Sequence, residues 1–472
     1  MLLLNTILSA KKRTIKNEKN VGVDETTLKK YVTTLQKMLQ CKTVYNTEKY
    51  DDTEFAKFRE VVKEEFPLLN EKAELMIFGT GCFVYKLTGK DKNTNIMLMS
   101  HHDVVEVGKN WQCDPFKAEI IDGKIYARGA IDTKTPLFGE LQAAEELLEE
   151  KYELPCNIYV ASSNNEEVCG DGIVKAVEYF KENGIKFDFL IDEGGAIVEK
   201  TMPGVNGYIA MIAVHEKGRH TFKCVAEKDE KKDGGHSGLT CKSDNPITRM
   251  SMFIAEIEHL KRRTKLYPEV RATFGAVAPY MSFGYRFLFA NLRFFEKPLL
   301  KIMPRINGQI GAMLQNTVSF TKIEGKGKYD MVQPKRVEAT ALYRCVRQED
   351  LYEELKIFKQ IAAKFGIFVE ADIVDFCKPA SFTNEKYKLI EKTINQNFPS
   401  VITAPYLLTA GSDARRFTEI AENIYRFAPL TLSSEQFKTI HSDNENISVK
   451  NIGEVVCFYK QLIKNYEVKD VR

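Results

Sequence analysis

The chain has ten cysteines but no paired CxxC spacing among them, which excludes a zinc knuckle and gives no ground for a disulfide frame. Several sit inside apolar runs such as "LPCNIYV" and "GEVVCFY", the setting of buried thiols in a reducing compartment. Neither charge dominates: 68 Lys and Arg against 65 Asp and Glu leave a net +3 over 472 residues, too small for a nucleic-acid or membrane signal at the level of the whole chain. A long uncharged apolar run is missing too. The start, "MLLLNTILSAKKRTIKNEKN", places a short apolar patch before its basic cluster, the reverse of a secretory signal. The most apolar internal stretch, "YMSFGYRFLFANLRFFEKPLLKIM", is interrupted by Arg286, Arg293, Glu296 and Lys297. It is expected to be an amphipathic helix packed on a partner surface and not a membrane span. No repeat, low-complexity segment or glycine-rich phosphate loop is present. These absences leave a cytoplasmic protein with a small or peptide-like partner, no nucleic acid and no membrane.

What is present is an alternation of strand and helix. Residues 24 to 66 read as helical from the one-sided apolar spacing in "LKKYVTTLQKMLQ" and "FAKFREVVKEEF". After them "NIMLMS", "GKIYARG", "CNIYVAS" and "FDFLID" read as strands, with "PLFGELQAAEELLEEKY" and "GIVKAVEYFKENG" as helices between. That order predicts an α/β unit with a mostly parallel sheet covered on both faces. From residue 211 the pattern turns to "MIAVHEKGRHTFKCVAE", expected as an antiparallel pair, followed by "VEATALYRCV" and "GIFVEADIVDF" with helices between. The expected division is therefore a first unit over 1–210, an inserted α+β unit over 211–376 and a return to the first unit over 377–472.

Acids and histidines collect after the strands. "NIMLMS" runs into His101, His102 and Asp103, "CNIYVAS" leads to Glu166 and Glu167, and "FDFLI" ends in Asp192 and Glu193, while Asp132 precedes a helix in "ARGAIDTKTPL". Carboxyl ends of parallel strands are the usual ligand crevice of an open α/β sheet. Taken singly, each residue has a plainer reading: Asp132 as a helix N-cap, the glutamate pair as solvated loop, His101 as a satisfied polar group, "DEGG" as a turn. Gathered, they repel unless something positive neutralises them, and Lys134 and Arg128 are too few. Imidazole and carboxylate donors suit zinc, with cobalt or manganese accepted by the same set. Two such ions about 3.5 Å apart require a bridging carboxylate.

"SHHDVVEV", "YARGAIDTK", "SNNEEVCGDG", "LIDEGG", "VHEKG", "GGHSG", "TAGSDAR" and "IHSDNE" together resemble the dizinc metallopeptidases that include carboxypeptidase S, aminoacylase and the cytosolic dipeptidases, closest to the carboxypeptidase S branch, over residues 90 to 450. The resemblance implies a phosphorylase/hydrolase-like dizinc catalytic domain and an inserted lid through which the chain forms a homodimer. It implies two zinc ions held by His101, Asp132 as the bridge, Glu167, Glu193 and His441, with Glu193 chosen over Asp192. Asp103 would orient the imidazole of His101, and Glu166 would stay off the metals as general base. His236 in "DGGHSGLT" would donate to the oxyanion across the dimer, and Arg415 and Arg344 would receive a substrate carboxylate. The implied activity is hydrolysis of an amide or peptide bond in a small peptide or N-acyl amino acid. A catalytically silent metal-binding scaffold on the same fold is the alternative. Ser100, Glu106, Thr135 and the "RCVRQED" turn depart from the usual pattern; none removes a ligand, but Glu106 and Thr135 alter the rim and the turn bears on where Arg344 sits.

Overall fold

The computed structural model describes residues 1–10, 22–228, 245–327, 329–373 and 376–468. Asp24 opens the first of the long helices, Glu25–Leu39, by accepting from the backbone N–H groups of Thr26 and Thr27 at 2.9 and 3.0 Å, which satisfies donors a helix start leaves free. Two helices, Lys134–Glu149 and Val449–Asn465, pack closely because Gly139 stands at their crossing. A Cβ there would lie 2.3 Å from Val455. Phe138, Leu141, Val455 and Phe458 are buried around this crossing, each contributing roughly 1.5–3 kcal/mol of burial.

A ten-stranded sheet forms the centre. Its order is Glu74–Phe78, Cys82–Leu87, Cys156–Ser163, Asp91–His101, Phe189–Asp192, Ile424–Arg426, Tyr208–Glu216, Ile197–Glu199 and Thr431–Leu432, with Ile402–Leu408 paired on Tyr208–Glu216. The three strands singled out from sequence are adjacent and parallel, with His101 opposite Ser163 and Ile96 opposite Phe189. Their carboxyl ends therefore open on one edge of the sheet. "GKIYARG" lies elsewhere: Lys124–Tyr126 belongs to a separate three-stranded sheet.

A second, antiparallel sheet orders Thr317–Glu324, Arg336–Cys345, Gly218–Glu227 and Ile367–Ile373, backed by the helices Pro246–His259 and Gln348–Lys364. The segment expected as one strand pair is divided between the sheets: Tyr208–Glu216 pairs in the large sheet and Gly218–Glu227 in the small one, with Lys217 between them. Residues 211–216 thus run with the large sheet. So do the helices between Pro268 and Leu314. Val270, Phe274 and Leu314 share a core with Met211, Tyr406 and Leu408, so this apolar stretch covers the large sheet and does not support the small one.

Candidate metal centre

His101 ends its strand, and its ring is held from behind. Nδ1 lies 2.9 Å from the Asp103 carbonyl oxygen and 3.4 Å from the Asp103 carboxylate. The same carboxylate accepts the backbone N–H of Glu166 at 3.1 Å and of Glu167 at 3.0 Å. One buried side chain thereby ties the histidine strand to the glutamate loop.

In front, Nε2 of His101 lies 3.0 Å from Oδ1 of Asp132, while Nε2 of His441 lies 3.0 Å from Oδ2 of the same residue. Asp132 thus offers one oxygen to each histidine, the disposition a bridging ligand needs. His441 also reaches Glu167 at 3.0 Å. Donor atoms of His101, Asp132 and Glu167 all fall within 4.8 Å of one another. Glu193 and Glu166 line the same cavity.

The electrostatics of this cluster are strained without a cation. Burial, then Asp413, pushes the Glu166 carboxyl well above its ordinary range; burial, then Asp132, does the same to Glu193 and raises Glu167. Hydrogen bonds to Asp132 and Glu167 push His441 up to about 10. The two cations nearest in sequence give no relief. Arg128 is bound by Glu445 at 2.7 Å, and Lys134 donates to the carbonyls of Met38 and Cys41 at 3.2 and 2.7 Å. Packed acids with two imidazoles, and with both of these cations engaged elsewhere, fit divalent metal ions.

The two neighbours left outside the expected donor set, His102 and Asp192, have partners of their own. The His102 ring stacks on Phe58 with centroids 4.8 Å apart, its Nδ1 2.8 Å from Ser162 Oγ. Asp192 accepts the N–H groups of Glu193 and Ala414 at 2.8 and 2.9 Å, one on each carboxylate oxygen. His236 lies outside the described residues.

Residues 97–465 match Peptidase family M20/M25/M40. The chain belongs to peptidase family M20. It is 30% identical over 424 residues to the probable carboxypeptidase S-like 2 of Dictyostelium discoideum, covering 88% of this chain and 80% of the relative. It is 31% identical over 407 residues to the N-fatty-acyl-amino acid synthase/hydrolase PM20D1.1 of Danio rerio, covering 84% and 77%. Among solved structures it is similar to the M20 metallo-carboxypeptidase Sso-CP2 from Sulfolobus solfataricus, with a TM-score of 0.69 and 21% identity, covering 94% of this chain and 99% of that one.

Beside the acids, this M20 hydrolase carries a group of arginines. Arg344 stands opposite Arg219 in the small sheet, and both Arg344 and Arg415 approach Gly411, where a Cβ would meet them at 3.4 and 2.6 Å. Burial, then Arg219 and Arg415, holds the Arg344 guanidinium below its ordinary pKa, and its Nη1 is buried without a hydrogen-bond partner among the described residues. Glu216 is the carboxylate closest to this group, 4.0 Å from Arg415, and Arg219 and Arg415 both contact Cys169 Sγ. The departures in "RCVRQED" have therefore left Arg344 beside Arg415.

A cavity of about 470 Å³ is lined at one end by Asp132, Glu166, Glu167, Glu193 and His441 and reaches Gly411, the residue that Arg344 and Arg415 approach. Most of its remaining wall is apolar, including Ile131, Ala196, Met211, Leu408, Leu430 and Leu432.

Three residues of the site go unassigned in the sequence reading. Glu445, fully buried, accepts from the N–H groups of Gly129, Ile131 and Asp132 at 3.0, 2.6 and 3.1 Å and from Arg128. It fixes the loop that presents Asp132. Its signal was present as the acid ending "IHSDNE" opposite the arginine of "YARGAID". Asp413 neighbours Glu166, and Arg219 joins the arginine group through strand pairing, which no local pattern announces.

Proposed function

We propose that this M20 hydrolase is a dizinc N-acyl-amino-acid amidohydrolase that cleaves the amide bond of a substrate carrying an apolar acyl chain and a free carboxylate. The observation that carries the reading is the cavity itself: a largely apolar volume of about 470 Å³ lined by the acidic cluster and by Gly411, behind which Arg344 and Arg415 stand. An acyl chain fits the apolar volume, a carboxylate the arginines, and the amide between them lies against Glu166. A free dipeptide would leave much of the apolar wall wet, which disfavours it.

His101, Asp132 and Glu193 would hold one ion, and Asp132, Glu167 and His441 the other, Asp132 serving both. When bound, the ions would supply Lewis acidity to the amide carbonyl and the attacking water. Asp103 fixes the His101 ring and the backbone of both glutamates, so donors and base keep their spacing through the reaction. Glu166, free of the metals and raised in pKa by burial, takes a proton from the water and returns it to the leaving nitrogen. Arg344 and Arg415 hold the substrate carboxylate, which fixes where the amide lies relative to Glu166. His236 would donate to the developing oxyanion from the partner of a homodimer formed through the small sheet.

A panel of N-acyl amino acids of increasing chain length and of dipeptides, run on zinc- and cobalt-loaded protein, tests the assignment. Rates that rise with acyl length support it. Dipeptides turned over as well as long-chain substrates would refute it, and bound zinc with no hydrolysis of any substrate would favour a silent scaffold.

A further inference from the structure

The helix Leu292–Ile306 carries two parallel rows of residues. Arg293, Lys297, Lys301 and Arg305 recur every four positions, and all four are exposed. Phe294, Pro298, Ile302 and Ile306 recur beside them with the same spacing and are exposed as well, Phe294 at 61% and Ile306 at 72%. Side chains four apart share a helix face, so the helix shows water an apolar stripe edged by a cationic one about 18 Å long. Its inner face, through Leu292 and Met303, joins the core over the large sheet. Its one acid, Glu296, is engaged by Arg271, and among the described residues no carboxylate pairs with any of the four cations.

A second apolar element lies at the start of this helix. The short helix Leu2–Leu8 is pinned by Asn5, which donates to the carbonyl of Ala290 and the side chain of Asn291 at 2.9 Å each, and by Thr6, which accepts from Asn291. Leu3, Leu4, Ile7 and Leu8 remain exposed on it. In the sequence the basic cluster Lys11, Lys12 and Arg13 follows directly.

We propose that this face docks peripherally on an anionic lipid bilayer, with the apolar row entering the boundary between headgroups and acyl chains and the cationic row meeting lipid phosphates. An exposed apolar stripe alone would serve a second protein equally well. The unpaired cations set four apart along its edge are what favour a bilayer, since long basic side chains lie along apolar surface while their heads reach anionic headgroups. Among the described residues no helix is long and apolar enough to cross a membrane, and this arrangement requires none. The net charge of the chain concealed the feature, because these four cations are a small share of its 68 Lys and Arg.

The face also leads to the active cavity. Ile306 ends the apolar row, Asn307 caps the next helix by accepting from Ile310 N at 3.0 Å, and Gln309 lines the cavity. An amphiphile leaving the bilayer would have a short path to the acids. This consequence rests on the acyl-substrate reading; the docking itself does not.

The test is co-sedimentation of the full chain with vesicles of phosphatidylcholine alone and of phosphatidylcholine containing roughly one-fifth phosphatidylserine, a level that gives a negative surface potential. The chain is expected to sediment with the anionic vesicles and to be released by salt. Replacing Lys297→Gln and Lys301→Gln together should lower partitioning by roughly 30-fold, about five-fold per cation. Ile302→Ser with Ile306→Ser should lower it as well. Unchanged urea midpoints establish that the variants are folded, and none of these residues belongs to the metal or arginine groups. No sedimentation with anionic vesicles, or equal sedimentation of wild type and variants, overturns the proposal. So does a wild-type oligomer that the isoleucine substitutions dissociate while vesicles bind neither form, which would make the face a contact between copies. Because the readout is binding, its failure is distinguishable from failure of the substrate panel.

Discussion

Glu445→Gln isolates the residue that presents Asp132. In the native fold Oε1 accepts from Ile131 and Asp132, and Oε2 accepts from Gly129 and Arg128, all within a fully buried site. However the glutamine amide turns, its NH₂ group faces two donors, so two of four bonds are lost and the Arg128 guanidinium, 2% exposed, loses its counter-charge. Hydrogen bonds to a charged acceptor contribute about 1.5–3 kcal/mol each, and breaking a buried ion pair costs about 3–5 kcal/mol. These figures describe the same loss and are not summed; about 3–5 kcal/mol is expected. With a urea slope near 3 kcal/mol per molar, the midpoint should fall by about 1–2 M. Loosening the loop under Asp132 should also weaken metal retention by about 10–100-fold, the usual scale for losing support behind a ligand. Urea unfolding followed by circular dichroism, with metal content after dialysis against a weak chelator, measures both. A midpoint unchanged within about 0.2 M together with full metal retention would refute the role given to Glu445.

Glu166→Gln should keep its metal while hydrolysis falls by about 10²–10⁴; near-normal turnover would remove Glu166 as the base. Arg415→Ala should raise KM for substrates with a free carboxylate far more than for their amides, and equal effects on both would refute carboxylate recognition. Ala196→Phe, which intrudes on the apolar wall, should penalise long acyl chains over short ones. Excluding about four methylenes costs roughly 3 kcal/mol, or some two orders of magnitude in kcat/KM, and an unchanged chain-length profile would place the chain elsewhere. Burial depresses His215 and His220 to about 4, so both are neutral in the fold while the unfolded chain takes up protons below about 6.5. Their contribution is complete above that value and is lost as pH falls toward 4. His220→Phe should therefore show a shallower loss of stability over that interval, measured by urea midpoints at successive pH values; an unaltered slope would mean His220 does not titrate there.

Local pattern carried the parts of the site that lie on regular elements. "NIMLMS", "CNIYVAS" and "FDFLID" were legible as strands because buried parallel strands are short apolar runs bounded by polar residues, and adjacency of their ends followed from sheet topology. The resemblance supplied His441, which lies in a loop at positive φ and has no periodicity to announce it. Arg219 was invisible because its role depends on register: it stands opposite Arg344 across strands more than a hundred residues apart. The division at Lys217 was missed for a related reason. Two consecutive strands of similar composition look alike whether they fold back on each other or continue into different sheets. The helix Leu292–Ile306 was recognised as amphipathic, but sequence alone could not say which of its stripes faces inward.

Lys217 is the one residue between Tyr208–Glu216 of the large sheet and Gly218–Glu227 of the small one, and its buried side chain reaches across to the Gln315 carbonyl at 2.7 Å. Arg415 sits on the large-sheet side of that joint, while Arg219 and Arg344 travel together on the small-sheet side. The arginine group thus draws its members from both sheets, so a shift of one sheet against the other would change their spacing. On the proposed carboxylate recognition, a bound substrate would act as a strut between the two sheets, so the chemistry that selects it would also set the angle between them.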